Sequence, residues 1–157
     1  MRRLASLLLA PRVSGRAAWA VAAARVAAGI VFVSYSVGKF VHHDAEAAAF
    51  DRYGIPVPDA ATYFVGTLEL VGGLLLVAGL GTRLAALALA GNMIGAIVTA
   101  GRIDGGPVNL GLAPALLAVM VLLLWTGAGR WSLDGRIVSR GGRSAVTPGA
   151  VPVDGAQ

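Results

Sequence analysis

The chain has 157 residues, of which 57 % are hydrophobic and only 13 % are charged, with a net charge of +5. Soluble domains carry about 25 % charged residues, so this composition indicates a membrane protein. Cysteine is absent, which excludes disulfides, thiol catalysis and thiolate metal sites. The basic residues are dispersed rather than gathered in one stripe, so nucleic acid is not expected as a partner.

Four apolar segments follow one another along the chain, at about residues 17–41, 62–80, 84–100 and 109–128. A helix of about 20 apolar residues crosses the hydrocarbon core of a bilayer, and each segment approaches that length. The pattern therefore predicts an all-α, polytopic membrane protein whose four-helix bundle occupies residues 17–134. The lipid bilayer is its first expected partner.

The segments around the four helices differ in character. Residues 1–16 are expected to form a retained cytoplasmic lead-in, because arginines and a proline interrupt any signal-like apolar run. Ala45–Tyr53 predicts a short amphipathic helix at the membrane interface, between helices one and two. Residues 135–157 lack periodicity and predict a disordered cytoplasmic tail.

The distribution of basic residues predicts the topology. With both termini on one side, that side holds Arg2, Arg3, Arg12, Arg16, Arg83, Arg130, Arg136, Arg140 and Arg143. The other side keeps only Lys39, Arg52 and Arg102. Because cytoplasmic loops carry the excess of positive charge, we expect a multi-pass protein of the plasma membrane with both termini in the cytoplasm.

One carboxylate, Glu69, lies within the second apolar segment, where a charge is expensive and requires a cation, a proton or water. Arg25 and Lys39 share one face of the first helix and are both candidate partners. Arg25 would reach the carboxylate from the cytoplasmic side and Lys39 from the outer side. Ser36 and Tyr35 add hydroxyl groups near the same level. Together these residues predict a polar seam between helices one and two.

Two interpretations of this seam stay open. It can be a static ion pair that fixes the register of two helices in lipid. It can also be a site for a polar headgroup such as that of a quinone, or a proton-handling carboxylate, because ionisable groups inside membranes commonly mark functional sites.

Glycines mark two further helix positions. Gly72 and Gly73 lie on helix two, and Gly91 and Gly95 form a GxxxG pattern on helix three. Both pairs predict close backbone approach within the bundle, while a dimer face stays open as the less favoured alternative.

The only two histidines, His42 and His43, are adjacent and would point in different directions on a helix. They are interpreted as solvated interfacial residues, and no metal site is expected.

Several short motifs together carry a resemblance to a known family. They are Arg25-Val-Ala-Ala-Gly-Ile-Val-Phe32, Ser36-Val-Gly-Lys39-Phe, Tyr53-Gly-Ile-Pro56 with Phe50 before it, Gly66-Thr-Leu-Glu69-Leu-Val-Gly-Gly73, Gly81-Thr-Arg83-Leu-Ala-Ala, and Gly127-Ala-Gly-Arg-Trp-Ser-Leu-Asp134. Their order and spacing over residues 20–134 resemble the DoxX family of small four-helix membrane proteins. One departure is Asn109, where many relatives carry an acidic residue at the start of helix four.

The resemblance implies a family whose members are mostly uncharacterised. Some are linked to thiosulfate:quinone oxidoreduction, and the mycobacterial ones to a membrane complex with superoxide dismutase and a sulfurtransferase. The Ala-, Gly- and Arg-rich composition is typical of a high-GC actinobacterium.

Three functions are compatible with these observations. The first is a redox-associated membrane subunit, linked to sulfur or oxidative-stress metabolism, that contacts quinone and docks soluble oxidoreductases without being an autonomous enzyme. The second is a non-enzymatic scaffold or assembly protein. The third is a component of a proton or small-solute transporter, against which the chain shows no broken helix beyond its glycines and no inverted repeat.

Overall fold

The computed structural model describes residues 13–136. Most of the predicted lead-in and tail, residues 1–12 and 137–157, lies outside the described residues. In chain order the helices are α1 (Gly15–Val41), α2 (His43–Arg52), α3 (Pro58–Ala78), α4 (Thr82–Val98), α5 (Ala100–Ile103), a π-helical turn (Val108–Leu112) and α6 (Ala113–Thr126).

Four helical spans are long and apolar enough to cross a membrane: α1, α3, α4 with α5, and the π-helical turn with α6. The short α2 joins the first two spans. The predicted all-α class with four apolar helices is therefore confirmed for the described part of the chain. We call the end of the bundle where α1 starts and α6 stops the terminal end, and the end with α2 the loop end.

The second span begins at Pro58, four residues earlier than the pattern of apolar residues suggests. Proline suits the first turn of a helix, because the amide hydrogen that it lacks has no partner there. Asp59 adds a negative charge in that turn, which the helix dipole favours. Polar and proline residues thus extend the helix beyond its apolar part.

The third and fourth spans each contain an irregular turn, which the sequence did not indicate. Thr99 has φ −103° and ψ −84°, which ends α4 and separates it from α5. Its hydroxyl donates to the carbonyl oxygen of Gly95 at 2.8 Å, which satisfies a polar group at the break. The fourth span starts with a π-helical turn, a feature often found at functional sites.

Two glycines let α1 and α3 approach closely. A Cβ atom on Gly73 would lie 2.8 Å from the carbonyl oxygen of Gly29, and a Cβ atom on Gly29 would lie 2.8 Å from that of Gly73. Gly72 faces α4 instead, where its Cβ atom would lie 3.0 Å from Leu89. Small residues at helix contacts are how membrane helices maximise van der Waals packing.

The GxxxG pattern on α4 behaves differently. A Cβ atom on Gly91 or Gly95 would meet nothing within 4 Å, so these glycines face open space outside the bundle. The expectation that they permit close approach within the bundle was therefore wrong. The side of α4 that packs inward carries Ala86, Leu89 and Met93 instead.

Candidate functional site

A polar cluster of three side chains joins three helices within the membrane-spanning part of the bundle. The ammonium nitrogen of Lys39 on α1 lies 2.8 Å from Oε2 of Glu69 on α3. The side-chain amide of Asn92 on α4 donates to Oε1 of the same carboxylate, also at 2.8 Å. Both carboxylate oxygens of Glu69 therefore accept a hydrogen bond.

The cluster is well shielded, since the side chains of Lys39 and Glu69 are only 12 % and 6 % exposed. Its formation depends on Gly66, which lies one turn before Glu69 on α3. A Cβ atom there would lie 3.2 Å from the Cβ atom of Lys39 and from the ring of Phe40. The missing side chain brings the last turn of α1 close to α3, so that the amine reaches the carboxylate.

A cavity of about 110 Å³ opens beside this cluster. It is lined by Val31, Phe32, Tyr35, Lys39, Glu69, Met93, Ala96, Val108, Asn109, Leu112, Ala113 and Leu116. Most of this lining is apolar, and the Lys39–Glu69 pair supplies its charged groups. Tyr35 and Val108 are each about half exposed, which puts an opening between the first and fourth spans.

The two hydroxyl groups predicted for the seam have different surroundings. Tyr35 lies at the edge of the cavity and is 46 % exposed. Ser36 is fully buried, and its hydroxyl donates to the carbonyl oxygen of Val33 on its own helix at 2.7 Å. Tyr35 is thus placed near the ion pair, whereas Ser36 is occupied by its own backbone.

The structure does not bring Arg25 to Glu69. The guanidinium of Arg25 donates to the carbonyl oxygens of Leu76, Val77 and Trp131, the last two at 3.2 Å. Arg25 precedes Lys39 by 14 residues, about 21 Å along a helix, so it lies near the other end of α1. Carbonyl groups in the last turn of a helix lack partners within it, and Arg25 satisfies two of them at the end of α3.

Sequence reasoning did not single out Asp134, which organises the terminal end together with Arg25. Its carboxylate accepts hydrogen bonds from the backbone amides of Gly81 and Thr82 at 2.7 and 3.0 Å. Its own amide donates to the carbonyl oxygen of Gly79 at 3.0 Å. Asp134 therefore caps the start of α4, and the signal for it was the Gly127–Asp134 motif after the last helix.

Gly79 is the contact point between these two structural residues. Its φ is +67°, and a Cβ atom would lie 2.5 Å from a guanidinium nitrogen of Arg25. Only glycine accepts both the left-handed backbone and this close approach.

The loop end carries two further polar contacts. Tyr53 donates a hydrogen bond to Asp104, and a guanidinium nitrogen of Arg52 lies 3.5 Å from the same carboxylate. His43 lies 3.3 Å from Asp59 and stacks on the ring of Tyr63 at 4.0 Å between centroids. Burial, followed by the hydrogen bond to Asp104, raises the pKa of Tyr53 to about 12. Within residues 13–136, no three His, Asp or Glu side chains are grouped as a metal site requires.

Comparisons with known proteins agree with this architecture. The model of the DoxX family matches residues 20–102, which include the Lys39–Glu69–Asn92 cluster. The Mycobacterium tuberculosis protein "Uncharacterized membrane protein Rv3486" is 39 % identical over 133 residues, which cover 74 % of this chain and 80 % of the relative. The Bacillus subtilis protein "Putative oxidoreductase CatD" is 35 % identical over 75 residues, covering 48 % of this chain and 54 % of the relative.

No solved structure matches the chain. The family match extends over more than half of the sequence, and the mycobacterial relative is similar over most of its length. The chain belongs to the DoxX family of membrane proteins.

Proposed function

We propose that the cavity beside Lys39 and Glu69 holds the headgroup of a quinone, and that the protein is a membrane subunit of a redox system. The observation that carries this proposal is a buried ion pair that lines an otherwise apolar cavity, which is open on one side. Binding sites for small molecules and cofactors commonly combine apolar walls with a small number of convergent polar groups.

The chemistry of the cavity suits such a headgroup, and its open side would have to hold the part of the ring that its enclosed volume does not. An apolar cavity of about 150 Å³ accepts one benzene ring, and this cavity has about 110 Å³ and an open side. Phe32, Met93 and Leu116 offer apolar contact to a ring. The opening between the first and fourth spans would leave an isoprenoid chain in the lipid.

Each polar residue has a defined task in this proposal. The ammonium of Lys39 can donate a hydrogen bond to a carbonyl oxygen of the headgroup, because it lines the cavity. Glu69 holds the ammonium in place through Oε2, and Asn92 fixes the carboxylate through Oε1. Tyr35 adds a hydroxyl at the opening. A bound quinone would supply two-electron, two-proton redox chemistry.

In this proposal the electrons would come from a docked soluble protein. A thiol of the chain itself cannot supply them, because the sequence has no cysteine. The name of the Bacillus relative describes it as an oxidoreductase, which supports a redox setting. By family resemblance, superoxide dismutase and a sulfurtransferase are the proposed partners. Sulfur or oxidative-stress metabolism in the plasma membrane, with the basic terminal end in the cytoplasm, is part of the same proposal.

The test is to fill the cavity without touching the ion pair. Ala96 lines the cavity, whereas Ala88 is exposed on the same helix and serves as the matched control. Both proteins are purified in mild detergent and their bound quinone is extracted and measured. The Ala96→Leu protein should contain about one tenth of the wild-type amount or less, because the added carbons occupy the ring site. Ala88→Leu should retain the wild-type amount. Wild-type protein without quinone, or equal retention by both variants, would reject the proposal.

The second candidate is a non-enzymatic scaffold. It is favoured by one observation: both oxygens of Glu69 are hydrogen-bonded, so the charge is already compensated without any ligand. If the protein is a scaffold, its soluble partners should co-purify with the Ala96→Leu variant, and neither the wild type nor the variant should contain quinone. A redox subunit would keep the partners and lose only quinone.

A further inference from the structure

The fourth span contributes one polar side chain to the lining of the cavity, that of Asn109. This residue lies in the π-helical turn with which the span begins. The other polar residues of the lining, Tyr35, Lys39 and Glu69, belong to the first and second spans. A ligand in the cavity can therefore meet polar groups from two sources, the ion pair and the fourth span.

The amide group of Asn109 is oriented by its own helix. Its nitrogen donates to the carbonyl oxygen of Gly105, one turn earlier, at 3.0 Å. A carbonyl oxygen only accepts hydrogen bonds, so the amide turns its NH₂ group towards Gly105 and its oxygen away. Within residues 13–136 that oxygen accepts no hydrogen bond, and it is not fully buried. Asn109 therefore keeps an accessible acceptor that no group of the described chain uses.

Lys39 has the opposite hydrogen-bonding character. Its ammonium group carries donors and no acceptor. Oε2 and Oε1 of Glu69 already accept hydrogen bonds from Lys39 and Asn92. A quinone has two carbonyl oxygens, which only accept, so Lys39 can serve one of them. Uptake of two electrons and two protons converts both carbonyls to hydroxyl groups, which donate as well as accept.

We infer that Asn109 makes the cavity selective for the hydroquinone over the oxidised quinone. The inference rests on the quinone site proposed above. A hydroquinone donates one hydroxyl to the amide oxygen of Asn109, and its oxygen atoms still accept from the ammonium of Lys39. A quinone also accepts from Lys39 but gives the amide oxygen no donor. That oxygen then loses water without gaining a partner, which costs free energy.

Selectivity for the reduced form affects the direction of electron transfer. A site that binds the hydroquinone more tightly than the quinone makes the bound quinone easier to reduce, because binding and reduction are linked equilibria. The cavity therefore suits a protein that passes electrons to quinone rather than one that takes electrons from hydroquinone. Asn109 would be the residue that determines this specificity.

The experiment measures how tightly the full-length protein binds a decyl-substituted benzoquinone and its hydroquinone, by anaerobic isothermal titration calorimetry in one detergent. Asn109→Leu removes the amide oxygen at similar volume. It should weaken hydroquinone binding about fivefold and change quinone binding by less than about twofold. Leu110→Met alters an exposed residue of the same turn that does not line the cavity, and both affinities should stay unchanged. Partition of the ligands into micelles is common to all the proteins and cancels in the comparison.

The possible failures of the two proposals differ. If the wild type binds neither form more tightly than Ala96→Leu, in which the cavity is filled, the quinone site is wrong and the inference is wrong with it. If the wild type binds quinone but Asn109→Leu weakens both forms equally, or neither, the site stands and the role of Asn109 is rejected. Should Asn109→Leu fail to fold, Asn109→Ala supplies the same comparison, with melting temperature and helicity recorded for every variant.

Discussion

The ammonium nitrogen of Lys39 and Oε2 of Glu69 lie 2.8 Å apart and thereby link the first and second spans inside the membrane region. The pair accounts for a carboxylate in an apolar helix, because its charge is compensated by an amine and by the amide of Asn92. It also leaves Arg25, which is buried further along the same helix, for a structural task at the terminal end.

Coupling between Lys39 and Glu69 can be measured with a double-mutant cycle. Lys39→Met and Glu69→Gln should each lower the free energy of unfolding by about 3 kcal/mol, because each leaves one buried charge unpaired. The double variant should lose clearly less than the sum. Unfolding in mixed detergent micelles gives these values. Additive losses would contradict the pairing.

Arg25 is expected to stabilise the fold without contributing to the cavity. Arg25→Gln removes charge-assisted hydrogen bonds to carbonyl oxygens on α3 and in the segment after α6, so it should cost about 3 kcal/mol or more. Arg16→Gln, at an exposed position on the same helix, should change stability by less than about 0.5 kcal/mol. Thermal unfolding in detergent compares the two. Quinone retention by folded Arg25→Gln protein should equal that of the wild type.

The two glycine patterns should respond oppositely to alanine. Gly73→Ala should destabilise the protein by about 2 kcal/mol, since the new Cβ atom would collide with the backbone of α1. Gly91→Ala has open space and should be neutral or stabilising by about 0.5 kcal/mol, through its higher helix propensity. If Gly91→Ala instead lowers the oligomer mass in light scattering, α4 uses this face to contact a second copy.

The Tyr53 hydroxyl should lose its proton at a higher pH than an ordinary tyrosine does. Its raised pKa, about 12, means that the contact with Asp104 is fully present below pH 10 and is lost as the pH rises through 12. Absorbance at the tyrosinate band should therefore show a component near pH 12. Tyr53→Phe should remove this component, and Asp104→Asn should move it towards pH 10. An unchanged profile in Tyr53→Phe would assign it to another tyrosine.

The helical spans were predictable from the sequence because the bilayer imposes a length and an apolar character on each. The residues at which the spans begin and end were less predictable. Pro58 and Asp59 extend α3 into polar sequence, and the break at Thr99 satisfies its polar groups locally, so neither follows from apolar periodicity.

The candidate site was predicted in part. Spacing on α1 placed Lys39 and Arg25 on one face but left open which of them meets Glu69. Asn92 was not among the predicted site residues, although it holds Oε1 of the carboxylate. Pairing across helices depends on their rotation and vertical offset, and a linear pattern contains neither.

By itself the sequence determined the membrane class, the number of spans and the presence of a charge that needs compensation, since these follow from the cost of polar groups in lipid. Only the tertiary structure decided which cation compensates Glu69, which glycines are contact points, and where a cavity opens. Those outcomes depend on how the helices turn toward one another. Gly66, Gly73 and Gly79 control that packing by the side chains that they lack.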